Sequence, residues 1–165
     1  MADRTHPPVS PSGTVLVLDA DQPAALAVLR SLARRGLRVE VASTDSGAIG
    51  RRSRHASACW CHPDPLADAD AFVQWLQAHL AAHHYALVIP LTERTVVPLS
   101  QQRDRFAPGL IAVADADALA QVIDKQRTVA LAATLGIPVP LAEPVHDAAQ
   151  APQAAQRLGY PVVVK

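Results

Sequence analysis

Aromatic residues make up 4% of this 165-residue chain, two each of Phe, Trp and Tyr. So few flat side chains exclude the stacking platforms on which proteins hold single-stranded nucleic acid. Charge does not compensate: Lys and Arg total 15, Asp and Glu total 15, and no face is loaded for a phosphate backbone. Nucleic acid is therefore not an expected partner. No apolar run reaches the about 18 residues that a bilayer span needs, and the opening MADRTHPPVSPSG has no apolar stretch of the kind that directs secretion. The expected setting is cytoplasmic, with no membrane partner. Cysteine is scarce too: Cys59 and Cys61 lie two apart in SACWC, where strand alternation points both one way and Trp60 the other. They could form half of a metal site. No second pair completes it, and two ordinary strand cysteines in a reducing compartment are the plainer expectation.

Several fingerprints are also missing. The first strand-to-helix turn reads DADQPA, without the G-x-G-x-x-G that lets a pyrophosphate approach the backbone, so NAD and FAD are disfavoured. G-x-x-x-x-G-K-[ST] is absent, and any ATP site must use an architecture other than the P-loop. There is no G-x-S-x-G for a hydrolase elbow. His79 and His83 are four apart on an expected helix, a spacing that can chelate a metal, but their place in its last turn suits a cation-favouring helix end better.

What is present is core material. Half of the residues are apolar, chiefly alanine and leucine, enough for one domain and a part of a second. Residues 1–13, with three prolines, read as a disordered leader. TVLVLD (14–19) is an apolar run ending in a carboxylate, as a parallel strand buried on both faces requires. A helix follows, capped by Asp21 or Gln22, started by Pro23, carried by Ala25, Leu26, Leu29 and Leu32, and ended by Gly36. RVEVAST (38–44), ASACWCH (56–62), YALVIPLTE (85–93) and GLIAVAD (109–115) are the next strands. A basic, glycine-containing loop occupies 45–55, and helices are expected at 68–83 and around 95–106. Strand and helix alternating with right-handed crossovers mean an α/β fold with a doubly wound parallel sheet over residues 14–115. Its ligand crevice should lie where the strands end, at Asp19, the 45–55 loop, Thr92 and Glu93.

From residue 116 the pattern changes. DADALAQVID and KQRTVALAATLG read as helices, Asp124 capping the second. IPVPLAEPV is extended, DAAQAPQAAQRLG is a helix closed by Gly159, and YPVVVK is expected to open a new strand. Residues 116–165 thus read as a helical connection and the beginning of a second domain, cut off while that unit is starting.

The segment DKQRTVALAATLGIPVP (124–140) followed by LGYPVVVK (158–165) resembles the opening of an ATP-grasp domain, as in biotin carboxylase, carbamoyl phosphate synthase and carboxylate–amine ligases. Upstream, LAVLRSLARRGLRV (26–39), SRH (53–55) and VIPLTE (88–93) are similar to the Rossmann-like preATP-grasp domain that precedes it. One departure is the first turn, where many relatives have glycines and this chain has Asp19, Ala20 and Asp21. The resemblance places Lys125 and Lys165 on the two basic positions of that opening, where cations meet the phosphates of ATP. It further implies ATP and magnesium as cofactors, activation of a carboxylate to an acyl phosphate, and attack by an amine or similar nucleophile. Among substrate-side residues, Glu93 would orient an amine, Thr92 would hydrogen-bond it, Arg54 would hold a carboxylate, and Asp19 would face the crevice. The implied partners are small-molecule carboxylate and amine substrates. A homodimer is also allowed, since such front domains often contribute dimer contacts. The flexible phosphate-covering loop and metal-binding Glu and Asn of that family are not among these residues, so the 165-residue chain by itself is expected to be inactive. Two alternatives stand beside this reading: a stand-alone small-molecule-binding module with the preATP-grasp fold and no catalysis, and a receiver-like or flavodoxin-like domain in which Asp19 and Asp21 form an acidic magnesium pocket.

Overall fold

Continuous apolar runs of the kind found at 14–18 and 38–43 can be satisfied only by burial on both faces, and that is how they are used. The structure, a computed structural model, describes residues 13–164. Lys165 and the expected leader, Gly13 apart, lie outside the described residues. Four parallel strands, β1 (Thr14–Val17), β2 (Arg38–Ser43), β3 (Ala58–Cys61) and β4 (Leu87–Ile89), form one sheet in the order β3-β2-β1-β4. The register sets Val15 beside Val39 and Leu87, and Leu16 beside Glu40 and Val88. Successive side chains then go to opposite faces. Val15, Val17, Val39 and Val41 meet Ala25 and Leu29 of helix α1 (Pro23–Arg34) on one side. Leu16, Leu18, Ala42 and Val88 meet Phe72, Val73 and Leu76 of α2 (Ala69–Ala82) and Leu99 of α3 (Glu93–Gln101) on the other. Each fully buried Leu, Val or Phe in these layers contributes roughly 1.5–3 kcal/mol.

Three local expectations are corrected. GLIAVAD does not form a full strand: Ile111 makes a single parallel bridge to Val88, with hydrogen bonds from Val88 N–H to Leu110 O and from Ala112 N–H to Val88 O at 2.8 and 2.9 Å. The reason lies in β4, which stops after three residues at Pro90 and so leaves little ladder to extend. The helix expected at 95–106 is α3, starting at Glu93 and followed by a separate 3-10 turn, Arg103–Arg105. Residues 160–164 carry no strand, and Val163 and Val164 are exposed with no neighbouring strand to pair with.

The chain divides into two compact units, one ending at Ala116 and one starting at Asp117. The second contains α4 (Ala116–Ile123, which straddles the division), α5 (Lys125–Thr134) and α6 (Ala151–Leu158). Asp124 caps α5, its carboxylate accepting from the N–H groups of Gln126 and Arg127, and Gly159, at φ 82°, closes α6.

One carboxylate is buried beneath α2. Glu40 projects from β2 and accepts hydrogen bonds from Trp60 Nε1–H at 2.8 Å and Tyr85 O–H at 2.6 Å, with Arg38 at 3.3 Å. Tyr85 has spent its only proton on Glu40, so its oxygen must accept from His79 Nε2, 2.8 Å away. This assigns the His79 proton to Nε2 and removes that atom from any chelate with His83. The His79 ring stacks on Trp75 at 4.9 Å. Burial, followed by the neighbouring His83, holds the His79 pKa below its ordinary value. Burial alone would raise the Glu40 carboxyl, but hydrogen bonds from Tyr85 and Trp60 outweigh it and the net shift is downward.

The signs agree for both groups. Each binds protons less readily folded than unfolded, so its stability is present above its unfolded pKa, near 6.5 for His79 and 4.5 for Glu40, and is lost as pH falls. The urea midpoint should drop between pH 7.5 and 5. His79→Gln, whose amide still donates to Tyr85, should flatten the upper part of that slope. A midpoint independent of pH in the unaltered chain would contradict this assignment.

Candidate functional site

β1 and β4 are neighbours in the sheet but distant in sequence, and the order of strands reverses between them. A parallel sheet opens a crevice at such a point, beyond the carboxyl ends of the strands. Asp19 stands there, just past β1, with φ 54°. That left-handed conformation is uncommon for a residue with a side chain, and Asp is among the few that tolerate it. Its carboxylate is fully buried. Oδ2 accepts from Leu91 N–H at 3.0 Å, Thr92 N–H at 2.9 Å and Thr95 Oγ1–H at 2.6 Å. Oδ1 accepts from Arg94 Nε at 3.3 Å and from an Arg94 terminal nitrogen at 3.1 Å. The same nitrogen lies 2.7 Å from Asp21 Oδ1. One carboxylate thereby ties the end of β1 to the β4–α3 turn and to the first residues of α3.

Arg94 was not singled out by the sequence reading, although it follows Glu93 at a helix start and faces the two acids of DAD. Burial works against its charge, but hydrogen bonds to Asp21 and Asp19 outweigh this and raise its pKa. Asp21 would be raised by burial, yet hydrogen bonds from Gln22 and Arg94 hold it below its ordinary value. The acidic magnesium pocket of the receiver-like alternative is thus corrected, because a guanidinium occupies both carboxylates. Among the described residues no group of three or more His, Cys, Asp or Glu is arranged to hold a metal ion. Asp21, held by Arg94, does not cap α1, whose N-cap is Gln22 without a side-chain bond.

The 45–55 loop closes over the first turn. Its 3-10 turn, Ile49–Arg52, brings Gly50 N–H within 2.8 Å of Ala20 O, and a Cβ at Gly50 would lie 2.8 Å from that oxygen. Only glycine allows so close an approach. Arg51 donates to Trp60 O at 3.0 Å and Cys61 Sγ at 3.1 Å, while Cys59 Sγ donates to Arg51 O at 3.7 Å. Both cysteines therefore serve to seat this loop. Arg54 is exposed just beyond the turn.

Thr92 directly precedes α3. Its N–H is held by Asp19, but its Oγ1 is buried without a hydrogen-bond partner. Glu93 is exposed as the first residue of α3, and with Pro65, Leu66, Ala69, Arg94 and Val97 it lines an open depression of about 340 Å³. His62 follows β3, its ring packed against Phe72 at 4.9 Å and Trp75 at 5.4 Å, and its Nε2 is likewise buried and unpartnered. Burial lowers its pKa, a pull that the Pro63 carbonyl and Asp19 only partly offset. His62 also escaped the sequence reading, its ring being hidden behind two prolines that signal only the end of a strand. Lys125 is exposed in the first turn of α5, within the second unit. Lys165 lies outside the described residues.

The elements define a doubly wound α/β domain with a crevice at a topological switch point. Neither the protein-family models nor the curated proteins compared with the sequence give a match. Solved structures do. The chain is similar to glycinamide-RNase-transformylase T from Mycobacterium tuberculosis at 20% identity and TM-score 0.61, over 90% of this chain and 40% of that one. It is similar to an L-amino acid ligase from Bacillus licheniformis at 12% identity and TM-score 0.61, over 88% and 42%. A third likeness is to the biotin carboxylase domain of a single-chain bacterial carboxylase, at 20% and 0.57, over 88% and 34%. All three are ATP-grasp enzymes, and the fold of this chain is that of their N-terminal preATP-grasp region. The chain spans about a third to two fifths of the length of these structures.

Removing the carboxylate at Asp19 strands three donors and half of the Arg94 pair, so Asp19→Ala should cost about 3 kcal/mol or more. Arg94→Met, which leaves Asp19 its other donors, should cost roughly 1–3 kcal/mol. Gly50→Ala should cost roughly 1–3 kcal/mol through overpacking against Ala20. Urea unfolding measures all three, and an Asp19→Ala protein as stable as Arg94→Met would refute the central role given to the carboxylate.

Proposed function

We propose that this chain serves as the N-terminal, substrate-side part of an ATP-grasp ligase, one that uses ATP and magnesium to activate a carboxylate for attack by an amine or similar nucleophile. The observation that carries the reading is the fold match over 88% or more of this chain to N-terminal portions of three ATP-grasp enzymes. The reading is also in keeping with the exposure of large apolar side chains in the second unit, among them Leu135, Ile137, Leu141, Tyr160, Val163 and Val164, with Leu141 at 87% and Val163 at 82%.

Bound ATP would supply the phosphoryl group, and magnesium would neutralise its charge. The described residues fit the nucleotide through one side chain. The α5 N-terminal amides of Gln126 and Arg127 are already taken by Asp124, so a phosphate there would meet the Lys125 ammonium and not the bare helix end. Lys165, on the second basic position, is assigned the same task. The crevice residues would handle the substrate: Thr92 Oγ1 offers a buried hydroxyl, Glu93 an exposed carboxylate at the start of α3, and Arg54 an exposed guanidinium for a carboxylate. Asp19 keeps a structural part in this scheme, holding Thr92 and Arg94 in position.

The 165-residue chain alone should show no magnesium-dependent phosphate release from ATP. The same chain produced as the complete product of its gene should release phosphate when ATP, magnesium, and a mixture of carboxylic acids and amines are supplied. Turnover by the 165-residue chain, or silence of the complete product across such a panel, would overturn the assignment.

A further inference from the structure

Buried polar atoms in folded proteins are nearly always paired, so an orphan asks for a partner. His62 Nε2 is such an orphan among the described residues, in a residue 6% exposed. Its character can be deduced. The other ring nitrogen, Nδ1, lies 2.8 Å from the carbonyl oxygen of Pro63, which can only accept. In the neutral ring the proton therefore sits on Nδ1, and Nε2 presents a lone pair. Such an atom can receive an N–H or O–H, and it cannot receive a carboxylate or phosphate oxygen.

The surroundings narrow the choice further. Asp19, Asp21 and Arg94 are the charged groups that act on the His62 ring, two acids against one base. Glu93, at the start of α3, adds a third carboxylate to the same end of the sheet. A cationic donor is favoured over a neutral one in that field. Phe72 and Trp75 pack against the ring, their centroids 4.9 and 5.4 Å away, and hold it in place.

We propose that His62 is a ligand-binding residue whose Nε2 accepts a hydrogen bond from the amino group of a small amine seated at the carboxyl end of the sheet. This rests on the crevice being the substrate side of a ligase, and it names the amine as the substrate held there. The Asp19–Arg94–Asp21 cluster supplies the field that draws the ammonium in, and His62 supplies the acceptor that orients it.

The test uses the 165-residue chain with isotope-labelled histidine and two-bond proton–nitrogen correlation spectra. Glycinamide, an amine without a carboxylate, is the probe, and acetate is the control. His62 should show the Nδ1-protonated tautomer, glycinamide should shift its Nε2 resonance saturably, and acetate should leave it in place. His62→Phe, which keeps a ring against Phe72 and Trp75, should weaken glycinamide binding about tenfold or more, read at the Thr92 amide. An Nε2-protonated tautomer, an equal response to acetate, or unchanged affinity in the Phe variant would each overturn the proposal. So would no saturable shift with glycinamide, which would leave a buried water as the partner of Nε2. Should the Phe variant fail to fold, the titration of the unaltered chain decides alone. Failure of ATP-dependent turnover in the complete product is a separate result, since the spectra need no ATP.

Discussion

The Asp19 carboxylate is the constraint around which the crevice is arranged. It emerges from the central strand in a left-handed conformation and receives two backbone N–H groups and a threonine hydroxyl from the β4–α3 region, plus the Arg94 guanidinium. A buried charge is costly unless it is paired and hydrogen-bonded. Here both conditions are met, and satisfying them forces the chain to bring residues 91–95 to residue 19. Strand β4, helix α3 and the turn between them are placed by that requirement as much as by apolar packing. The 45–55 loop then rests on the same turn through Gly50 and Ala20.

Much of the fold was legible because its signals are local. The runs TVLV and RVEVAS are apolar over consecutive residues, so they announce strands covered on both faces. Pro23 and Gly36 bracket α1, and Asp124 begins α5 through N–H bonds that sequence alone suggests. The segment at 109–115 misled for an equally physical reason: its composition suits a strand, but strand formation depends on a neighbour, and Pro90 ends that neighbour early. The second-unit strand expected at YPVVVK fails on the same ground within the described residues.

The site was legible only in outline. The strand ends pointed to Asp19, Thr92 and Glu93, and the structure sets all three around the β1–β4 switch point, whereas Arg54 is exposed past the loop turn and Lys125 belongs to the second unit. Arg94 and His62 went unseen. The Arg94–Asp19 contact joins residues 75 apart in sequence, and no periodicity encodes such a pairing. For His62, the meaning lies in which nitrogen the Pro63 carbonyl engages, a matter of ring orientation and not of residue type. The departure from glycine at the first turn also gains an account. An acid in left-handed conformation there trades the open backbone of a glycine turn for an internal counter-ion, so whatever enters meets side chains and not bare amides.

The single bridge at Ile111 carries a consequence for assembly. Residues 110–112 take the hydrogen-bonding groups of Val88 along the outer side of β4. That margin has a short ladder with a resident partner, the condition that discourages strands of other molecules from joining. A second copy that paired by extending the sheet beyond β4 would first have to displace that partner. Face-to-face association through helices keeps it in place.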